Sequence, residues 1–182
     1  MADGTRSEPG AAPVDVAEAK RELRRSMRAA RRALPDRARR SALVVERLLA
    51  LPEVAGAGRV LAYASVPGEV ETDVLVATCR ARGAEVAVPE DDVAPTWPDV
   101  VIVPGTAFTP DGRRLGQGGG WYDRFLPRRR PSVPAIGVGF DLQLVDDLAT
   151  EDHDVRLDAV VVESGVHRAG PSRPGRTRSG RI

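Results

Sequence analysis

The sequence is poor in two residue types that usually carry chemistry or cross-links. Cys79 is the only cysteine in 182 residues, so no disulfide framework can form within the chain, and a cytoplasmic location is the expectation. Lysine is equally scarce: Lys20 stands alone among 27 basic residues, the rest being arginine. No apolar run approaches the roughly 20 residues of a membrane span, so no membrane association is expected. Residues 1–13 are polar, rich in Gly and Pro, and lack an apolar core, which argues against a secretory signal. No internal repeat is visible, and no Ser/His/Asp or Cys/His arrangement stands out.

Glycine, in contrast, is concentrated. After a short apolar run, Val100 to Val103, come Pro104-Gly105-Thr106-Ala107-Phe108 and then Arg113-Arg114-Leu115-Gly116-Gln117-Gly118-Gly119-Gly120-Trp121-Tyr122-Asp123-Arg124. Four glycines within five residues leave bare N–H groups that can approach an anion such as a phosphate. Trp121, Tyr122 and Asp123 read as a helix start, whose partial positive charge adds to the same preference. The segment is neither a Walker P-loop, lacking the Gly-Lys-Ser/Thr ending, nor a G-x-G-x-x-G fingerprint, its spacing being tighter. A plain flexible loop remains the bland alternative.

The rest of the chain reads as alternating helices and strands. Helices are expected from Asp15 to about Leu34, from Asp36 to about Leu51, from a Thr72 cap to Gly83, over 122–126, and over 142–148. Strands are expected at 59–64, 85–88, 100–103, 135–138 and 158–162. The alternation predicts an α/β fold: a mostly parallel sheet with helices on both faces, in a single domain. Ligands in such folds sit beyond the carboxyl ends of strands, here the loops after Ala64 and Val103. Residues 14–166 form the expected domain, between a tail over 1–13 and a tail over 167–182. The latter holds five arginines and no acid against a whole-chain net charge of +1, so the remainder is net acidic. Its Arg, Gly, Pro and Ser composition predicts disorder, and a nucleic-acid role, which is not expected, would rest on it alone.

Individual side chains are less decisive. Lys20 and Arg24 share a helix face and can clamp a polyphosphate, although Arg21, Arg25, Arg28, Arg31 and Arg32 crowd the helix and favour a solvated basic face. Glu69 sits in a Pro-Gly turn where a carboxylate can face a ligand, and Ala64 would let a flat ligand near the backbone. Asp123 can hold Mg²⁺ beside phosphates or serve as an ordinary first-turn acid. Asp152-His153-Asp154 offers a metal pair or a solvated loop, and Tyr63, Trp97 and Phe108 offer stacking or core packing.

In order along the chain stand Lys20-x-x-Leu23-Arg24, Tyr63-Ala64-Ser65 with Glu69-Val70-Glu71-Thr72, Pro104-Gly105-x-Ala107-Phe108, Arg114-Leu115-Gly116-x-Gly118-x-Gly120-x-Tyr122-Asp123-Arg124, and Asp154-x-x-x-Asp158. This series resembles the 5-formyltetrahydrofolate cyclo-ligase family, the 5,10-methenyltetrahydrofolate synthetases, from about Ala17 to Glu163. The resemblance implies an enzyme that uses ATP and Mg²⁺ to convert 5-formyltetrahydrofolate to 5,10-methenyltetrahydrofolate. ATP phosphorylates the formyl oxygen, and N10 then attacks the activated carbon. It implies Lys20, Arg114 and Tyr122 as catalytic residues. ATP would be held by Lys20, Arg24, Arg114, Leu115, Gly116, Gln117, Gly118, Gly119, Gly120, Trp121 and Tyr122. The reduced formyl-folate would meet Ala64, Glu69, Gln117, Gly118, Gly119, Gly120 and Trp121, and Mg²⁺ would meet Asp123 and Asp154. A monomer is expected. The chain departs from the family in having only Pro89 to Pro98 between its second and third strands, where a few dozen more residues usually help to wall the folate pocket. Trp121 stands for the usual Tyr or Phe, Thr109 for a common acid, and Val162 for a common Thr. The alternative is a protein of this fold that binds ATP and acts on a smaller amide or lacks catalysis.

Overall fold

The computed structural model describes residues 15–89, 92–149 and 155–170. The expected tail over 1–13 lies outside the described residues, as do 171–182 and Asp154.

Among the described residues, six strands form the main sheet in the order β2-β1-β3-β6-β7-β8. They are β1 (Arg59–Leu61), β2 (Glu85–Ala87), β3 (Val100–Pro104), β6 (Ala135–Val138), β7 (Ala159–Val161) and β8 (Val166–Arg168). The first five run parallel, and β8 pairs antiparallel with β7. A two-stranded hairpin, β4 (Ala107–Phe108) with β5 (Arg114–Leu115), stands apart from it. The helices are α1 (Val16–Ala33), α2 (Arg37–Ala50), α3 (Pro52–Ala55), α4 (Asp73–Ala81) and α5 (Trp121–Phe125). The mostly parallel α/β architecture agrees with the sequence reading.

Fully buried strands need apolar residues on both faces, and β3 reads Val-Val-Ile-Val without a polar interruption. One face, through Val60, Val100, Ile102, Val138 and Val161, packs against Val44, Val45 and Leu48 of α2 and Leu75 of α4. The other, through Leu61, Val101, Val103 and Val160, packs against Phe108, Tyr122, Phe125 and Leu126. The first helix lies over the hairpin, where Leu23 and Met27 meet Ala107, Leu115 and Leu148.

Several local expectations are corrected. Residues 167 and 168, expected to belong to a tail, are part of the sheet: Val166-His167-Arg168 closes its edge, and Arg168 meets Glu53 of α3 at 2.6 Å. Composition suggested a solvated stretch, but backbone pairing to β7 and one counter-ion suffice to order it. The helix expected over 142–148 shrinks to a single 3-10 turn, Asp141–Gln143, because Leu144 then bridges Phe108 and the Val145 N–H reaches the Phe108 carbonyl. Thr72 precedes α4 without capping it, its hydroxyl donating instead to the Tyr63 carbonyl at 2.7 Å. Asp36 likewise supplies no side-chain cap to α2, since it sits in the left-handed region (φ 53°).

Candidate functional site

Strands β1 and β3 are neighbours, yet the chain leaves their carboxyl ends toward opposite faces, to α4 after β1 and to α5 after β3. A crevice opens where such departures diverge. The loop after β1 brings Ala64, exposed, and Glu69, buried, to one wall. The segment after β3 supplies the hairpin and then the glycine loop, Gly116 to Gly120.

The glycines are there for the backbone and not for packing. Gly118 and Gly120 have φ of +108° and +67°, a region that side chains disfavour. A Cβ added at Gly118 or Gly119 would meet nothing within 4 Å. Gly105, by contrast, is a packing glycine, whose added Cβ would fall 2.5 Å from Phe108 Cζ.

The loop's carbonyls are held from outside, while its N–H groups are not. Arg24 Nε donates to the Gly116 carbonyl at 2.9 Å, and Arg28 donates to the Gln117 carbonyl at 3.0 Å. The Thr106 hydroxyl reaches the Gly116 carbonyl at 3.4 Å, and Arg124 reaches the Gly119 carbonyl at 3.4 Å. Among the described residues, the N–H groups of Gly116, Gln117, Gly118 and Gly119 donate to no protein acceptor. Four successive free donors, three of them in residues whose carbonyls are tied back, form a concavity whose chemistry suits an anion.

Helix α1 is thus no solvated basic face, contrary to what charge pattern alone suggested. Arg24, Arg28 and Arg31 recur at helical spacing and turn toward the loop, while Arg21 and Arg25 remain exposed. Lys20 is half-buried one turn before Arg24 on that same face. Arg31, 5% exposed, donates to the Gly105 carbonyl at 3.3 Å, and its Nε has no acceptor among the described residues. Burial lowers its pKa against the raising influence of nearby Glu69.

Glu69 ties the two walls together. Its carboxylate accepts from the Val66 N–H at 3.0 Å and from the Gln117 side-chain amide. Burial pushes its pKa up, opposed by those donors and by Arg31. Gln143, fully buried, donates to the Gly105 and Thr106 carbonyls at 2.8 and 3.1 Å and accepts from the Phe140 N–H at 2.9 Å. Arg28, Arg31, Thr106 and Gln143 escaped the sequence reading as site residues. A signal existed for the arginines alone, in their spacing with Arg24.

The remaining candidates are placed as follows. Leu115 is buried in the hairpin. Arg114, with a side chain 6% exposed, donates to the Pro104 carbonyl at 3.2 Å and to the Asp123 carboxylate. Its guanidinium lies 5.7 Å from the Tyr122 ring centroid. Trp121 is half-buried, stacked on Phe125 at 4.6 Å and edge-on to Tyr122 at 4.8 Å. Asp123 is therefore paired with an arginine and about half exposed. No cluster of three metal-ligating side chains exists among the described residues. One carboxylate suits Mg²⁺ that arrives on a nucleotide, since that ion keeps most of its waters and takes phosphate oxygens besides one or two carboxylates. Asp158, which closes the last motif, sits at the amino end of β7 and binds Ala135 N–H at 2.8 Å and Arg129 at 3.1 Å. Its role there is structural. No helix among the described residues is long and apolar enough to cross a membrane.

The family model of the 5-formyltetrahydrofolate cyclo-ligases matches residues 16–97 and 90–163. The 5-formyltetrahydrofolate cyclo-ligase of Mus musculus is 24% identical over 197 residues, covering 84% of this chain and 97% of its own. The Escherichia coli K12 protein of that name is 45% identical over 69 residues, 37% of this chain and 38% of its own. The NMR structure of Aquifex aeolicus 5,10-methenyltetrahydrofolate synthetase superposes with a TM-score of 0.71 at 26% identity, over 88% of this chain and 97% of that one.

Proposed function

We propose that this chain, which belongs to the 5-formyltetrahydrofolate cyclo-ligase family, converts 5-formyltetrahydrofolate to 5,10-methenyltetrahydrofolate with ATP as co-substrate. The observation that carries this reading is the row of four undonated N–H groups from Gly116 to Gly119, beside the α1 cations, at the β1/β3 crevice.

An amide oxygen is a poor leaving group and a phosphate is a good one. The formyl oxygen on N5 attacks the γ-phosphorus of ATP, and the bond to ADP breaks. N10 then attacks the activated formyl carbon and gives up its proton to solvent, the C–O bond breaks, and inorganic phosphate leaves with the oxygen. There is little covalent work for the protein, so positioning and charge stabilisation do most of it. Lys20, Arg24 and the amides from Leu115 to Tyr122 grip the phosphates. Arg114 joins them as a cation, and its contact with Asp123 keeps both groups at the loop exit. Tyr122, beneath Arg114, fixes that guanidinium by its ring face. Asp123, together with Asp154, would ligate Mg²⁺, which when bound offsets phosphate charge. Ala64, Glu69 and the stretch from Gln117 to Trp121 line the folate side, Glu69 holding Gln117 across the crevice. The protein acts as a cytoplasmic monomer, whose catalytic domain runs from about residue 14 through the edge strand Val166–Arg168.

The test is direct. Purified protein with Mg²⁺, ATP and 5-formyltetrahydrofolate develops the near-ultraviolet absorbance of the methenyl product. The short connection between β2 and β3 favours a second reading, ATP-dependent activation of a smaller amide. Nucleotide binding by calorimetry without any absorbance rise would select it.

A further inference from the structure

On the side of the sheet that carries α2 and α4, a groove of about 560 Å³ runs between those two helices. Its floor is apolar: Ala42, Val45 and Leu49 recur at helical spacing along α2, with Val74 of α4 across from them. Val74 is 64% exposed, more than any other large apolar side chain described, so this floor lies open. The rim is acidic. Glu46, Glu71 and Asp73 line it, and none of the three forms an ion pair among the described residues. The one cation of the lining, Arg82, donates to the Leu49 carbonyl at 3.4 Å, at the end where α2 finishes. An apolar trough edged by carboxylates suits a basic, extended segment, because arginine stems cover apolar surface while their heads meet the acids.

The described residues end beside this groove. Edge strand β8 sends the Arg168 side chain to the α2 side of the sheet, where it pairs with Glu53 of α3 at 2.6 Å. Helix α3 follows directly on α2, whose last turn supplies Leu49 and Ala50 to the groove. Residues 171–182 continue from this point and hold Arg173, Arg176, Arg178 and Arg181, with two prolines and no acid. Extended, that segment reaches up to about 40 Å, whereas the groove follows α2 from Ala38 to Ala50, about 18 Å. A segment tethered this close sees the groove at an effective concentration of roughly 1 mM, so contacts too weak to hold a free partner suffice to hold it.

We infer that residues 171–182 lie in the α2/α4 groove of their own chain, with their arginines meeting Glu46, Glu71 and Asp73. The Arg168–Glu53 pair is the first contact of that series, already made at the groove's near end. At the far end the Glu71 N–H donates to the Ser41 hydroxyl of α2 at 3.1 Å, and Glu71 is two residues from Glu69 in the crevice wall. The docked segment therefore fastens the loop after β1 to α2 at a second point.

The test places a nitroxide on Thr177→Cys in the full chain and reads the loss of backbone amide signals by NMR. Cys79 is only 2% exposed and is shielded from the reagent, which reagent-treated wild type checks. Amides over 42–50 and 71–74 should lose signal, and about 1 M salt, where the Debye length is about 3 Å, should restore them. Each carboxylate neutralised among Glu46→Gln, Glu71→Gln and Asp73→Asn should lower the docked-to-free ratio by about 1.4- to 5-fold, and the triple variant should recover the signals. Replacing Arg173, Arg176, Arg178 and Arg181 with Gln should recover them equally, with thermal unfolding of every variant as the control for folding. No signal loss, loss on another surface, or loss that survives both sets of charge changes would overturn the inference. An isotope-enriched chain without the nitroxide, mixed with the labelled one, should keep its signals. Loss there would seat a second copy's segment in the groove and overturn the assignment to the same chain.

Discussion

Replacing Gly119 with alanine separates folding from ligand binding more cleanly than any other change in the loop. Gly118 and Gly120 have positive φ, so a side chain there strains the backbone and confounds the result. Gly119 is not in that region, and its added Cβ meets nothing within 4 Å. Gly→Ala in a compatible conformation raises stability by about 0.4–1 kcal/mol through the unfolded chain. For a chain of this size that amounts to a Tm rise of roughly 1–4 °C. The methyl group occupies space that a bound phosphate needs if the free amides of Gly116 to Gly119 cradle it. Losing one N–H contact to a charged group costs about 1.5–3 kcal/mol, or roughly a 10- to 100-fold higher Kd. Differential scanning fluorimetry with and without Mg-ATP, followed by calorimetry, reads both effects. Gly119→Ala should melt at or above the wild-type temperature when free and lose most of the stabilisation that nucleotide confers. An unchanged nucleotide Kd would refute the cradle and with it the reasoning from bare amides to phosphate.

Three further outcomes follow from the same geometry. Lys20→Gln should lower kcat/KM in the absorbance assay by about 10²–10³, as loss of a preorganised cation on a transferring phosphoryl group does, with the melting temperature nearly unchanged. Arg31→Met should leave the Gly105 carbonyl to Gln143 alone and Glu69 without its nearby cation, costing about 1–3 kcal/mol and lowering Tm by roughly 2–12 °C. Burial raises the pKa of Glu69 in the fold, so the native state binds a proton more tightly than the unfolded chain does. That contribution is full below the unfolded carboxyl's pKa and is lost as pH rises through the folded one. Chemical denaturation of wild type against Glu69→Gln should therefore show wild type losing ground to the variant as pH rises above about 4, and a constant gap would exclude the titration.

What could be read beforehand divides along a physical line. The glycine loop was legible because four glycines in five residues answer a demand of the backbone itself, which local sequence expresses. Strand β3 was legible because burial on both faces requires an unbroken apolar run. Of the α1 arginines, Arg24 was legible as a partner for phosphate, but Arg28 and Arg31 were not. Their spacing placed Arg24, Arg28 and Arg31 on one face, but nothing local says that this face meets the carbonyls of residues 105, 116 and 117 some 75 to 90 positions away. Gln143 was invisible for a related reason: a lone amide shows its use only when two carbonyls from a distant turn converge on it. Asp123 was ambiguous between metal ligand and first-turn acid, and the structure adds a third partner, Arg114, that either role must displace or share. The edge strand after Val162 failed on composition, since an arginine read as solvated is instead matched by Glu53.

A common arrangement underlies these cases. Each misread residue binds a backbone carbonyl or a counter-ion supplied by another part of the chain, and most of these contacts hold the loop from behind. Arg24 and Arg28 take up its carbonyls, Arg31 and Gln143 brace the Gly105 turn beneath it, and Glu69 pins the Gln117 side chain. A loop with glycine's freedom would pay heavily in entropy to converge its N–H groups on a phosphate. Held in this way from α1, from the β1 loop and from the turn after β6, it presents those groups already aligned. Arg28, Arg31 and Gln143 should therefore affect nucleotide affinity through preorganisation while making no contact with the nucleotide. A substitution such as Arg28→Met, which removes one brace on an exposed side chain, should slow nucleotide association and weaken affinity by a few-fold without moving the thermal midpoint. A lowered thermal midpoint with unchanged nucleotide affinity would mean that the brace serves the fold alone.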